Sequence, residues 1–123
     1  MAKRPLPAVE SGRTVDGVAV IHRERVAWES ARVFVAAAMD DAYWWLGETL
    51  GRRLGQTYER DLARTRTRLR GDDAGPGQGV REDVLSAEAG AWRARIEDLL
   101  TERPELVAVL RQVIEETGRR LGR

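Results

Sequence analysis

Apolar side chains recur along this chain at steps of three and four, and nowhere alternate at a step of two for more than a few residues. A 3.6-residue turn places such steps on one helix face, whereas a half-buried strand needs a step of two. Leu85, Ala89, Trp92, Ile96 and Leu99 are spaced four, three, four and three. Leu106, Leu110, Val113, Thr117 and Leu121 make a second face. Val35, Met39, Ala42, Leu46 and Leu50 make a third, and Tyr58, Leu62, Thr65 and Leu69 a thinner fourth. The pattern predicts an all-α chain of four to five helices, arranged as two packed helical hairpins in a bundle.

Glycine and proline mark the boundaries. Residues 1–14, with Pro5, Pro7 and Gly12, read as a flexible tail. A single helical domain is expected over 15–121, since 123 residues is close to the commonest domain size. Residues 71–79 (GDDAGPGQG) hold four glycines, one proline and two aspartates, which is loop chemistry. That loop separates a first hairpin over 15–70 from a second over 80–121. Gly55 is placed to end a helix as the residue after its cap. Pro104 with Glu105 suits the first turn of the last helix. Between Val26 and Leu54 the periodicity favours one long helix bending near residue 40. The competing reading has Asp40 cap a new helix. Gly47 and Gly51 are each unfavourable inside a helix by about 1 kcal/mol relative to Ala, unless close packing uses them.

Composition removes several classes of function. The chain has no cysteine, which excludes disulfides, thiolate metal sites and cysteine nucleophiles. The net charge is +1, so no global field draws it to nucleic acid or a membrane surface. Of the 21 basic residues only Lys3 is lysine, and asparagine is absent. Both biases fit a GC-rich coding sequence. Pro5 and Pro7 interrupt the place of an apolar signal-peptide core, so none is expected. The run Val33–Met39 is far short of the ~20 residues a membrane span needs. A cytoplasmic protein is expected.

The side chains that carry common chemistries are scattered. His22 is the only histidine and sits among charges, as a surface residue would. Asp40–Asp41, Asp72–Asp73 and Glu115–Glu116 are neighbours in sequence, and adjacent residues diverge on a helix. The Glu-x-x-His pairs of a carboxylate di-metal bundle are missing, as is the EF-hand pattern. Gly75, Gly77 and Gly79 lack the strand before them, and the lysine and hydroxyl, that a phosphate loop uses. Ser11, Ser30 and Ser86 lie in no nucleophile elbow. The expectation is a protein that is not an enzyme and holds no cofactor or metal.

Two features point to binding instead. Tyr43, Trp44 and Trp45 are consecutive and cover roughly 300° of a helix at ~100° per residue. A helix lying on a small core cannot bury all three, and Trp and Tyr are frequent hot spots. Tyr43, Trp44, Trp45, Gly47 and Leu50 are therefore the candidate surface for a protein partner or for homo-oligomer formation. The alternative is a nucleic-acid-associated regulator. Seven arginines fall between Arg52 and Arg70, and Arg60, Arg64 and Arg68 repeat every four residues along one face. Such a stripe neutralises phosphates in a salt-sensitive way. Glu48, Glu59 and Asp61 dilute it.

The segment Val33–Leu54, the arginine-rich helix after it and the block 91–116 resemble a group of small actinobacterial all-helical proteins. These share an Ala/Val-rich stretch ending in Asp-Ala-Trp or similar, then a late W-x-x-R-[IL]-x-x-L-L…P-E-L block. Here the block is Trp92, Arg95, Ile96, Leu99, Leu100, Pro104, Glu105 and Leu106, followed by Leu110. The resemblance implies the all-α fold and no particular reaction. Relatives often carry Asp before Pro-Glu-Leu as a helix cap, where this chain has Arg103.

Overall fold

The structure, a computed structural model, describes residues 23–71 and 82–122. Among them the chain forms five helices and no strand. Helix α1 covers 23–38, α2 Ala42–Arg53, α3 Gln56–Leu69, α4 Glu82–Glu102 and α5 Leu106–Leu121. The expected tail, His22 and the glycine-rich loop beyond Gly71 lie outside the described residues.

The apolar face from Val35 to Leu50 is carried by two helices rather than one bent helix. The helix stops because Asp40 offers the backbone a competing partner: its Oδ1 accepts the Ala42 N–H at 2.9 Å. The last turn of α1 tightens at the same point, with the Met39 and Asp40 amides donating to Ala36 and Ala37 carbonyls at 3.2 and 3.0 Å. The α2–α3 turn follows the expected glycine signal. The amides of Leu54 and Gly55 both donate to the Leu50 carbonyl, and Gly55 has φ +124°. An L-side chain rarely adopts that angle, which is why glycine stands there. At the α4–α5 corner the Leu106 and Val107 amides donate to Arg103 and Pro104 carbonyls at 3.0 and 3.1 Å. In place of an aspartate cap, Arg103 donates from Nε to Glu105 at 3.1 Å.

Helix α2 packs closely on α3 and also against α5, while α4 packs on α1 and α3. The core takes Phe34 from α1, Leu46 and Leu50 from α2, Leu62 and Leu69 from α3, Trp92, Ile96 and Leu100 from α4, and Leu110 from α5. Ala27, Ala31, Ala37 and Ala38 make the buried side of α1 shallow, which leaves room for the Trp92 indole of α4. Phe34 meets that indole edge-on, at a centroid distance of 5.2 Å and an interplanar angle of 87°. Such a pair contributes about 0.5–1.5 kcal/mol beyond its burial. At Gly51 a Cβ would meet the carboxylate end of Glu59, an exposed side chain that can turn aside. Gly47 is buried but leaves an ordinary van der Waals space toward Leu62.

Candidate contact surface at the α1–α2 corner

The aromatic triplet begins one residue into α2, so the three rings leave the helix in three directions. Tyr43 turns toward α3 and is half-buried. Trp45 turns the other way, under Arg120 of α5, whose guanidinium lies 4.2 Å above its ring. Trp44 points outward and is 69% exposed. Among the described residues two other large apolar side chains are open to solvent, Met39 at the same corner and Trp28 further back on α1, each 43% exposed. A single exposed apolar residue is ordinary, but a tryptophan at a helix corner beside an exposed methionine is a concentrated apolar surface.

Arg66 of α3 fixes this corner. Its Nη1 donates to the Ala38 carbonyl at 2.8 Å and to the Asp40 carbonyl at 3.4 Å. The Ala38 carbonyl lies at the end of α1, where acceptors lack helical partners and the helix dipole favours a cation, and the Asp40 carbonyl also accepts the Tyr43 amide at 3.1 Å. The same guanidinium stacks 4.5 Å from the Tyr43 ring and 5.6 Å from the Trp44 ring, and the two rings meet edge-on at 4.9 Å. One arginine thereby satisfies the helix end and braces the outward tryptophan.

Gly47 and Leu50, expected on the contact surface with the aromatics, are buried, Leu50 completely. The correction follows from helix rotation. With Leu46 and Leu50 in the core, the outward stripe of α2 falls on Asp41, Trp44, Glu48 and Arg52 instead, all exposed.

Two arginines of α3, Arg64 and Arg68, meet carboxylates. Arg68 donates from Nε to Glu88 Oε2 at 2.5 Å and from Nη2 to Oε1 at 3.2 Å. That bidentate grip holds its guanidinium still more firmly protonated than usual. Arg64 lies 3.9 Å from Asp61, whose carboxylate also pairs with Arg95 at 3.2 Å. Arg60 is exposed. Arg68 is thus committed to Glu88, while Arg60 and Arg64 stand at the surface.

Glu88 is the buried acid that the apolar periodicity of α4 passed over. It is 7% exposed and lies one turn before Trp92 on the face that also carries Ile96. Its Oε1 accepts the Thr65 hydroxyl at 2.8 Å, and the Thr65 oxygen accepts the Trp92 Nε1–H at 2.8 Å. The signal was a threonine on the apolar stripe of one helix and a glutamate on that of another. An acid so placed needs partners that a sequence does not identify.

A groove of about 260 Å³ separates α2 from α5, walled by Trp45, Thr49, Arg53, Gln112 and Glu116. Arg53 donates to Gln112 across it at 3.2 Å, and Glu116 pairs with Arg119 at 2.6 Å. Among the described residues, no three His, Asp or Glu side chains converge as a metal-ligand set. Nor is any described helix long and apolar enough to cross a membrane. No protein-family model, curated protein or solved structure matches the chain.

Proposed function

We propose that the chain is a non-enzymatic protein-interaction module, an adaptor or self-assembling unit, whose contact surface is the α1–α2 corner. The observation that carries this is the placement of Trp44. The residue is 69% exposed, its ring meets Tyr43 edge-on and lies 5.6 Å from the Arg66 guanidinium, and Met39 is exposed at the same corner. A braced aromatic loses little conformational freedom on binding, so its burial against a partner is not offset by ordering. Tyr43, Trp44 and Met39 form the apolar centre, and Asp41, Glu48 and Arg52 form the charged rim.

Affinity capture and sedimentation velocity on the wild-type chain and on Trp44→Ala test this together. The wild type is expected to show either a concentration-dependent mass or a stoichiometric partner, and Trp44→Ala to lose it with its helical content unchanged. A wild-type chain that forms neither, or a partner retained equally by Trp44→Ala, overturns the reading.

A further inference from the structure

The outward face of α2 carries a charge order complementary to its own antiparallel copy, and we infer that the partner is a second copy of this chain, with its own α2 laid antiparallel on this face. The inference rests on the reading of Trp44 as a contact residue and names what covers it. Three sides of α2 are already taken. Leu46 and Leu50 enter the core, Gly47 and Gly51 face α3, and Trp45 and Thr49 face α5. The fourth side presents Asp41, Trp44, Glu48 and Arg52 at steps of three, four and four, all exposed.

Asp41 stands at the start of that stripe and Arg52 at its end, about 16 Å apart at 1.5 Å per residue. A copy related by a two-fold axis across the stripe sets Asp41 against the partner's Arg52. The same axis sets Arg52 against the partner's Asp41, so one complementary pair is used twice. Trp44 then lies between the partner's Glu48 and the partner's Arg52, with aliphatic stems for its ring and a guanidinium for its π face. The axis also brings Glu48 near the partner's Glu48, one like-charge contact, whereas parallel alignment opposes Asp41, Glu48 and Arg52 each to its own copy, and all three contacts repel. Antiparallel helix dipoles add to the preference. One face of a 12-residue helix buries less than the roughly 800 Å² per partner of a standard interface, so the pairing is weak. A dissociation constant on the order of tens to hundreds of micromolar is expected.

Sedimentation equilibrium on the full chain, from about 10 µM to about 1 mM at low salt, reads this directly. The wild type is expected to dimerise. Asp41→Arg and Arg52→Asp, taken singly, each place like charges together twice and are expected to weaken the dimer about tenfold. The double variant Asp41→Arg with Arg52→Asp restores both pairs and is expected to dimerise within about threefold of the wild type. Asp41 makes no side-chain cap hydrogen bond, so its replacement breaks no bond at the start of α2, and circular dichroism of each variant reads the effect of the reversed charge on the helix. Recovery in the double variant cannot come from misfolding. A chain that stays monomeric, a dimer indifferent to the single reversals, or a double variant that fails to recover overturns the inference. A monomer that still captures another protein through Trp44 overturns self-pairing alone and leaves the contact surface standing. A dimer that responds to the charges but ignores Trp44→Ala overturns Trp44 as its hot spot.

Discussion

The indole N–H of Trp92 donates to the hydroxyl oxygen of Thr65 at 2.8 Å, and that hydroxyl in turn donates a hydrogen bond to the carboxylate of Glu88 at 2.8 Å. Thr65 is completely buried, so each of these bonds is made away from water. Thr65→Val keeps the shape and deletes both bonds, leaving a buried donor and a buried acceptor short of a partner. The expected cost is about 2–4 kcal/mol in urea unfolding, within the range for stranded buried groups. Thr65→Ser, which keeps the hydroxyl, should cost no more than about 1 kcal/mol. Equal stability of Thr65→Val and wild type would show that the network contributes nothing.

Arg66 joins α3 to the end of α1 through the Ala38 carbonyl and supports the Tyr43 and Trp44 rings. Arg66→Ala is expected to lower stability by about 1–2 kcal/mol, from one charge-assisted hydrogen bond and one stacking contact. Arg66→Lys keeps the charge but not the planar stack, so it should recover only part of this. NMR relaxation of the Trp44 indole N–H in the otherwise unaltered chain should report faster ring motion in Arg66→Ala. Unchanged relaxation would remove Arg66 as the brace.

Two glycines should respond in opposite directions to alanine. A Cβ at Gly90, inside α4, meets nothing within 4 Å. Gly90→Ala should therefore raise stability by roughly 0.5–1 kcal/mol through helix propensity and a less flexible unfolded chain. Gly55 also has open space, but its φ is +124°. Gly55→Ala should lower stability by about 1–3 kcal/mol through backbone strain alone. Thermal melts of the two variants test the pair, and the same sign for both would contradict the assigned backbone.

Glu116 accepts a hydrogen bond from Arg119, which with the Coulombic attraction of that guanidinium lowers its carboxyl pKa below the ordinary 4.5. A depressed carboxylate stabilises the fold at pH values above its unfolded pKa. That contribution fades as pH falls through the lowered folded value. Carboxyl NMR titration should show Glu116 titrating at lower pH than an ordinary exposed glutamate. Arg119→Ala should move it back up. Both groups are at the surface, so the effect should shrink in high salt and change overall stability little. A Glu116 titration unmoved by Arg119→Ala would discard the pair.

The helical segments were legible because helix formation and helix faces are local. A step of three or four, a glycine at 55 and a proline at 104 act within a few residues of themselves, and α3, α4 and α5 begin and end near the predicted places. The break at Asp40 was harder to read, because the apolar step continues from Met39 to Ala42 as if nothing intervened. A side-chain bond from Asp40 and a distant arginine on the Ala38 carbonyl decide it.

By itself, the sequence determined that the chain is helical, that one side of each helical segment is apolar, and that three consecutive aromatics on one helix cannot all enter the core. Only the tertiary structure decided that Trp44 is the ring turned outward, that Leu50 is in the core, and that Arg68 belongs to Glu88. The physical reason is range. Periodicity records where side chains stand around one helix axis, whereas the rotation of α2 between α3 and α5, and the choice of carboxylate for each arginine, depend on helices far apart in the chain.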